Sequence, residues 1–493
     1  MAKSTGAKIM QHENSTLDHD ISLVDGQKIN FGNSELIVFH TPGHSKDSIC
    51  LVGDGKIFSG DTLFVGNCGR VDLPGGSAKE LYHSLFDILY NMDENLVLYS
   101  GHNYGSSPIS TLSKEKTSNF VLQKRTEQEF VELMGQWFLV DEIEIFGNLE
   151  KGQDFVKSIE NKKFLFSLVI SYTETSEIPG ITVAGSNLDF IKFTSPADAE
   201  YLHYGICKCM DSIPMTPDGK PTPAIFTKVA LESASIPHVV INAGSKILPD
   251  IPFFETGLDH GKNIQNEPAL DRYYVLRAVE YGRIIGRTLG ALTDCLVIGE
   301  SIPAGTTTAM AVLKGFDIDA KVSSSIPENP IELKNNVVNS ALKRSKSKDA
   351  YDIIANLGDP MIPLVAGMLG TASQTCKVLL AGGTQMAAVL ALGHTTGYDE
   401  KNIAIGTTSY IVNDTSANFL DMINEIADIP ILIIDPKLED SQIQGLRSYS
   451  DGFVKEGAGA GGAMISAILK TGLTLEKLLE KTEQEYERII TLQ

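Results

Sequence analysis

The chain has 493 residues, with 41 Lys or Arg against 62 Asp or Glu and a net charge of −21. That length exceeds one compact core and predicts two or three domains. The negative balance repels nucleic acid backbones and anionic lipid, but it leaves phosphorylated small molecules open, because backbone amides and helix N-termini bind phosphate without net positive charge.

From residue 1 to 136, short apolar runs predict strands over 36–40, 48–52, 56–60 and 95–102. An amphipathic helix is expected over 77–92 and a polar, helix-prone segment over 113–134. His44 follows a Thr-Pro-Gly turn after the first strand, and Asp61 follows the third, so both ligand-type side chains belong on loops at one sheet edge. Residues 137–163 are charged and lack a deep apolar face, which predicts a boundary segment.

From 164 to 493 the rhythm changes. Apolar runs at 164–171, 238–244, 295–301, 377–383, 402–409 and 429–435 alternate with helical stretches. This is the pattern of an α/β fold with a mostly parallel, Rossmann-like sheet covered by helices on both faces. Several runs end in Gly, Thr or Ser, which places a ligand crevice at the carboxyl edge of the sheet.

Three stretches of this part carry chemistry. In "VIGESIPAGTTTAMAVL" (297–313), Gly305, Thr306 and Thr307 open a helix and offer amide and hydroxyl donors to a phosphate. The GK[ST] of a nucleotide triphosphatase is missing, so no ATP site is expected. In "LLAGGTQMAAVLAL" (379–392), Gly382, Gly383 and Thr384 make a second donor loop. In "SYSDGFVKEGAGAGGAMISAIL" (448–469), Glu456 stands just before a Gly-rich helix start, where Gly457 and its successors let a ligand approach the backbone. Taken alone, the same glycines suit a helix packed closely on its neighbour.

The cysteines and termini set the compartment. Cys50, Cys68, Cys207, Cys209, Cys295 and Cys376 are too scattered for a disulfide framework, which predicts a reducing environment. No apolar run reaches the length of a membrane span and "MAKSTGAKIMQHENS" has no apolar signal core, so a cytoplasmic protein is expected.

The stretches "HTPGHS" (40–45), "FSGDTLF" (58–64), "GNCGRVDLPGG" (66–76) and "YSGHNYG" (99–105), in this order, resemble the second half of the metallo-β-lactamase fold, in its glyoxalase II and persulfide dioxygenase branch. The resemblance implies a partial αβ/βα half-domain with zinc or iron ligands at His44, Asp61 and His102. It also implies an upstream HxHxDH loop, whose spacing His12, His19 and Asp20 do not reproduce. The expectation is an incomplete, non-functional metal site in a half-sheet with unpaired edges. The rival is a working metal-dependent thioester hydrolase or persulfide dioxygenase.

The three C-terminal stretches, with "TETSEIPGITVAG" (173–185), "FTSPADAEYLHYG" (193–205) and "INAGSKILPDIP" (241–252), resemble the nicotinate-nucleotide:dimethylbenzimidazole phosphoribosyltransferase family, especially its archaeal-type branch. The resemblance implies phosphoribosyl transfer from nicotinate mononucleotide to a benzimidazole-type aromatic base in cobalamin assembly. It implies no cofactor for the transfer, and a homodimer. Glu456 would be the general base and Glu300 the second carboxylate. Gly305, Thr306, Thr307, Gly382, Gly383, Thr384 and Gly457 would contact substrate. The loop "GESIPAGTTT" departs from the GExGIGNTT-like loop of the bacterial enzymes, with Pro303 present and no Asn, which bears on the identity of nucleotide and acceptor. The abrupt change of pattern also raises two proteins joined in one chain, the second starting near Val140.

Overall fold

In the computed structural model, which describes residues 6–71, 75–102, 108–134, 137–140, 142–182, 188–210, 220–326 and 328–492, all six apolar runs of the C-terminal part become strands. They are Phe164–Ile170, His238–Asn242, Cys295–Ser301, Lys377–Ala381, Ile403–Thr408 and Ile431–Ile434. With the short strand Phe254–Glu255 at one edge, they form one sheet in the order 254–255, 238–242, 164–170, 295–301, 377–381, 403–408 and 431–434, every pairing parallel. Every residue of Phe164–Ile170 and Cys295–Ser301 is buried. Such strands read as continuous apolar runs because helices cover both faces.

The chain divides into two compact units, Met1–Phe138 and Leu139–Gln493. Residues 137–163, expected as a boundary segment, largely build the second unit instead. The strand Ile143–Phe146 pairs antiparallel with Ile431–Ile434, and the helix Leu149–Ile159 follows it. The charged residues hid a short alternation. Ile143, Ile145 and Phe146 are buried on the strand, and Phe155, Val156 and Ile159 on one face of the helix. Asn148 caps that helix by accepting from the Lys151 amide at 3.2 Å.

The first unit has a six-stranded sheet in the order 28–31, 34–40, 49–53, 56–60, 97–100 and 110–111. Its pairings are antiparallel except for 56–60 against 97–100. A core of its own, including Ile57, Leu63, Leu81, Leu85, Leu98 and Phe130, lies beneath the sheet. The segment expected as helical over 113–134 is interrupted: Asn119 ends Leu112–Ser118, a single turn follows, and the helix resumes at Glu127–Met134. Residues 72–74 and 103–105 of the motifs quoted for this unit, and 183–185 of the C-terminal motif, lie outside the described residues. Among the described residues, no helix is long and apolar enough to cross a membrane.

Candidate active site

Register brings the chemistry-bearing residues to one edge of the parallel sheet. Gly299 pairs with Ala381 and Ala381 with Gly406, so Glu300, Gly382 and Thr407 all emerge at the strands' carboxyl ends. The Gly382 amide donates to the Gly406 carbonyl at 3.0 Å and closes the junction between two of them.

The helix Ala460–Thr471 runs beneath this edge, and its glycines are used there. A Cβ on Gly459, where φ is +70°, would stand 2.9 Å from Gly299 Cα, and one on Gly462 would strike Ala381. The close approach expected for a ligand is therefore an approach of helix to sheet. Gly457, expected to contact substrate, lies against Pro223. What the packing does for chemistry is fix Glu456 at the head of the helix. Its Oε1 accepts from the amides of Gly457 at 3.2 Å and Gly461 at 3.1 Å. The loop that presents it is pinned from both sides: the Thr408 hydroxyl donates to the Lys455 carbonyl at 2.7 Å, and the Thr227 hydroxyl to the Ala458 carbonyl at 2.8 Å. Val454 and Ala458 are held at φ of 43° and 49°, a left-handed conformation unusual for a β-branched residue and concentrated at functional sites.

Four carboxyl groups converge here. Glu300, 4% exposed at the end of its strand, is pushed up to about 8 by burial and then by the charges of Asp359, Glu456 and Asp198. Burial also raises Glu456 to about 7, against the backbone amides of Gly461, Gly457, Thr408 and Ala460, which favour its charged form. Asp198 and Asp359, both buried, rise to about 6. Asp198 accepts from the hydroxyls of Thr222 and Ser301, each at 2.7 Å, and so braces the residue next to Glu300. Asp359 accepts from the Thr308 hydroxyl at 2.6 Å and from the amides of Met361 and Ile362, tying the Thr triplet to a second helix start.

The two expected donor loops adjoin. They open the helices Gly305–Gly315 and Thr384–Gly393, and a Cβ on Gly305 would lie 3.1 Å from Gln385 Nε2. Thr306 is half-buried. The hydroxyls of Thr307, Thr384 and Thr407 are buried and, among the described residues, have no hydrogen-bond partner. Orphaned buried hydroxyls at two helix N-termini are donors awaiting an acceptor.

Sequence reasoning missed four residues. Asp198 lies inside a quoted motif without being singled out. Asp359 had a signal, since an Asp-Pro pair before an apolar helix is a capping pattern. Lys455 bonds Asp414 at 2.8 Å, and the buried Lys334 donates to the Ser323 carbonyl at 2.7 Å. Burial, aided by Lys455, lowers Lys334 to about 7. Nothing in the polar helix Ile331–Arg344 marks it.

In the first unit, His44, Asp61 and His102 do come together. Asp61 Oδ2 lies 3.5 Å from His44 Nε2 and 3.3 Å from His102 Nε2, while His44 Nδ1 lies 2.8 Å from the Arg70 carbonyl, which orients the ring. The remaining candidates are engaged elsewhere: His12 stacks on His40 at 3.9 Å, His19 bonds Ser22, and Asp20 accepts from the Ile9 amide. Among the described residues, no group of three or more His, Cys, Asp or Glu is arranged to hold a metal ion. Among the described residues, the donors at this place fall short of a complete zinc or iron set.

Comparison with known proteins follows the same division. The phosphoribosyltransferase family DBI_PRT matches residues 229–404, and the metallo-beta-lactamase superfamily matches residues 6–102. A UPF0284 protein of Archaeoglobus fulgidus is 46% identical over 341 residues, which are 69% of this chain and 98% of that relative. Among solved structures, the nicotinate-nucleotide-dimethylbenzimidazole phosphoribosyltransferase of Thermus thermophilus is 16% identical, with a TM-score of 0.45, over 64% of this chain and 86% of that one. ETHE1 of Myxococcus xanthus is 28% identical, with a TM-score of 0.27, over 27% of this chain and 60% of that one.

Proposed function

The chain belongs to the UPF0284 protein family and carries a phosphoribosyltransferase domain, and we propose that it moves the phosphoribosyl group of nicotinate mononucleotide to a ring nitrogen of a benzimidazole-type base. The observation that carries this reading is the proximity of Glu300 and Glu456, two carboxyls both raised by burial, beside two helix N-termini with orphaned hydroxyls.

The chemistry suits such a site. In nicotinate mononucleotide the pyridine nitrogen is already cationic, so nicotinate departs with the electron pair of the glycosidic bond and needs no proton donor. Positive charge then develops on the ribose, and nearby carboxylates stabilise it. The lone pair of the base's unprotonated ring nitrogen forms the new bond as the glycosidic bond to nicotinate breaks, and the N–H proton on the base's other ring nitrogen must be lost. Glu456, ionised above about pH 7, takes that proton as general base. Glu300, raised to about 8, is mostly protonated at neutral pH and donates a hydrogen bond that positions the ribose. The amides of Gly305 and Thr307 already bond the Ile302 and Ala304 carbonyls, so the phosphate is held by the Thr306, Gly383 and Thr384 amides with the hydroxyls of Thr307 and Thr384. The transfer uses no metal or other cofactor.

The test is to incubate the purified chain with nicotinate mononucleotide and a panel of benzimidazoles and purines and to follow nicotinate release. Release that depends on an aromatic acceptor is expected. A chain that frees no nicotinate with any acceptor refutes the reading.

A further inference from the structure

We propose that the buried ion pair of Asp414 and Lys455 positions the base of the reaction: it holds the strained loop before the helix Ala460–Thr471, so that the Glu456 carboxylate stays against the amides of Gly457 and Gly461. The inference rests on the reading of Glu456 as general base. Lys455 directly precedes Glu456, and its ammonium lies 2.8 Å from Asp414 Oδ2 and 3.4 Å from the Ser324 carbonyl. The two side chains are only 9% and 6% exposed. Asp414 Oδ1 accepts from the amide and the hydroxyl of Ser416 at 3.0 and 2.6 Å, so the carboxylate is oriented independently of Lys455. Asp414 follows the strand Ile403–Thr408 after one short helix, and the Thr408 hydroxyl holds the Lys455 carbonyl. One strand end thus grips Lys455 by both main chain and side chain.

Stability alone does not call for such a pair. Taking two charges out of water offsets most of what their attraction returns, and an apolar pair would serve the core as well. An ion pair adds direction, and this loop needs it. Val454 and Ala458, on either side of Glu456, sit at φ of 43° and 49°, and such conformations persist only where the surroundings over-determine them. The Val454 amide donates to the Ser325 carbonyl at 3.1 Å, and the buried Lys334 holds the neighbouring Ser323 carbonyl. Released from Asp414, the loop relaxes from its left-handed geometry and carries Glu456 off the two amides. Those amides favour the charged carboxylate while burial opposes it, so their loss pushes the carboxyl further up. The other ionisable groups facing this region are Glu300, Asp414 and Lys334.

The test compares pH profiles of kcat/KM for acceptor-dependent nicotinate release by the full chain. Asp414→Asn combined with Lys455→Met removes both charges together, so the variant should melt close to the wild type. Its rise in rate should nevertheless move up by about one pH unit, with kcat at pH 7 lowered about 10-fold and KM for nicotinate mononucleotide unchanged. Lys455→Arg, which keeps the pair, should keep the rise near pH 7. Ser416→Ala, at a partly exposed position, only loosens Asp414 and should move the rise the same way by less, which keeps the question open to decision if the neutral pair fails to fold. In a Glu456→Gln background the neutral pair should bring no further loss, because a positioning residue acts through the group it positions. Wild-type turnover in Glu456→Gln would remove the general base and this proposal with it. An inactive Glu456→Gln beside a neutral pair or Ser416→Ala with the wild-type profile, or additive losses in that background, would overturn the role of the ion pair alone.

Discussion

The two units carry their chemistry in opposite ways. In the first, the motif around His44 and Asp61 is loud in the sequence, and its side chains do meet, with Asp61 lying 3.5 and 3.3 Å from two imidazoles. In the second, Glu456 stands in an unremarkable Gly-rich run, yet the fold buries it at a helix start within range of Glu300, which feels Asp359 and Asp198 as well. A metal site needs its full set of donors at once, so half a motif is worth little. A burial-tuned acid–base pair needs only depth and neighbours, which a sequence motif advertises poorly.

The comparison can be broken from either side. The largest expected effect is on Glu456→Gln, which should lower turnover roughly 100-fold or more while leaving nucleotide binding intact. Unchanged turnover would remove the general base from this position. Next, Thr307→Val or Thr384→Val should raise KM for nicotinate mononucleotide by about 10-fold with little change in kcat, because each removes one neutral donor to the phosphate. A fall in kcat alone would place the phosphate elsewhere.

A smaller effect concerns stability. Glu300 rises from an ordinary 4.5 to about 8, so the folded state keeps a proton that the unfolded chain releases. Its stabilising contribution is full below about pH 4.5 and is lost as pH climbs through 8. Glu300→Gln, neutral at every pH, should therefore raise the melting temperature at pH 8 by about 2–4 °C and leave it unchanged at pH 5. A melting point lowered at pH 8 would show that the charged form is favoured in the fold. The smallest expected effect is none: His44→Ala and Asp61→Ala should leave nicotinate release at the wild-type rate, and any loss of transfer would tie the first unit to the reaction.

Much of the second unit was legible because parallel strands buried on both faces read as unbroken apolar runs. "CLVIGES" and "NIAIGTTS" contain strands with their candidate functional residues at the carboxyl end. The boundary was misjudged because Ile143 and Ile145 alternate with charge on a strand of only four residues, and a period of two over so short a run is a faint signal. Asp198 and Asp359 escaped notice because a carboxylate gains its role from burial and from partners distant in sequence, such as Ser301 for Asp198. The glycines at 459 and 462 were seen, but their neighbours, Gly299 and Ala381, were not predictable from the local run.

The pH dependence of kcat/KM for acceptor-dependent nicotinate release tests the placement of the reaction most directly. For the wild type the rate should rise as pH increases through about 7, as Glu456 loses its proton, and in Glu456→Gln that rise should vanish along with most of the activity. A rise near pH 7 that persists in Glu456→Gln would contradict the account and move the base to another residue.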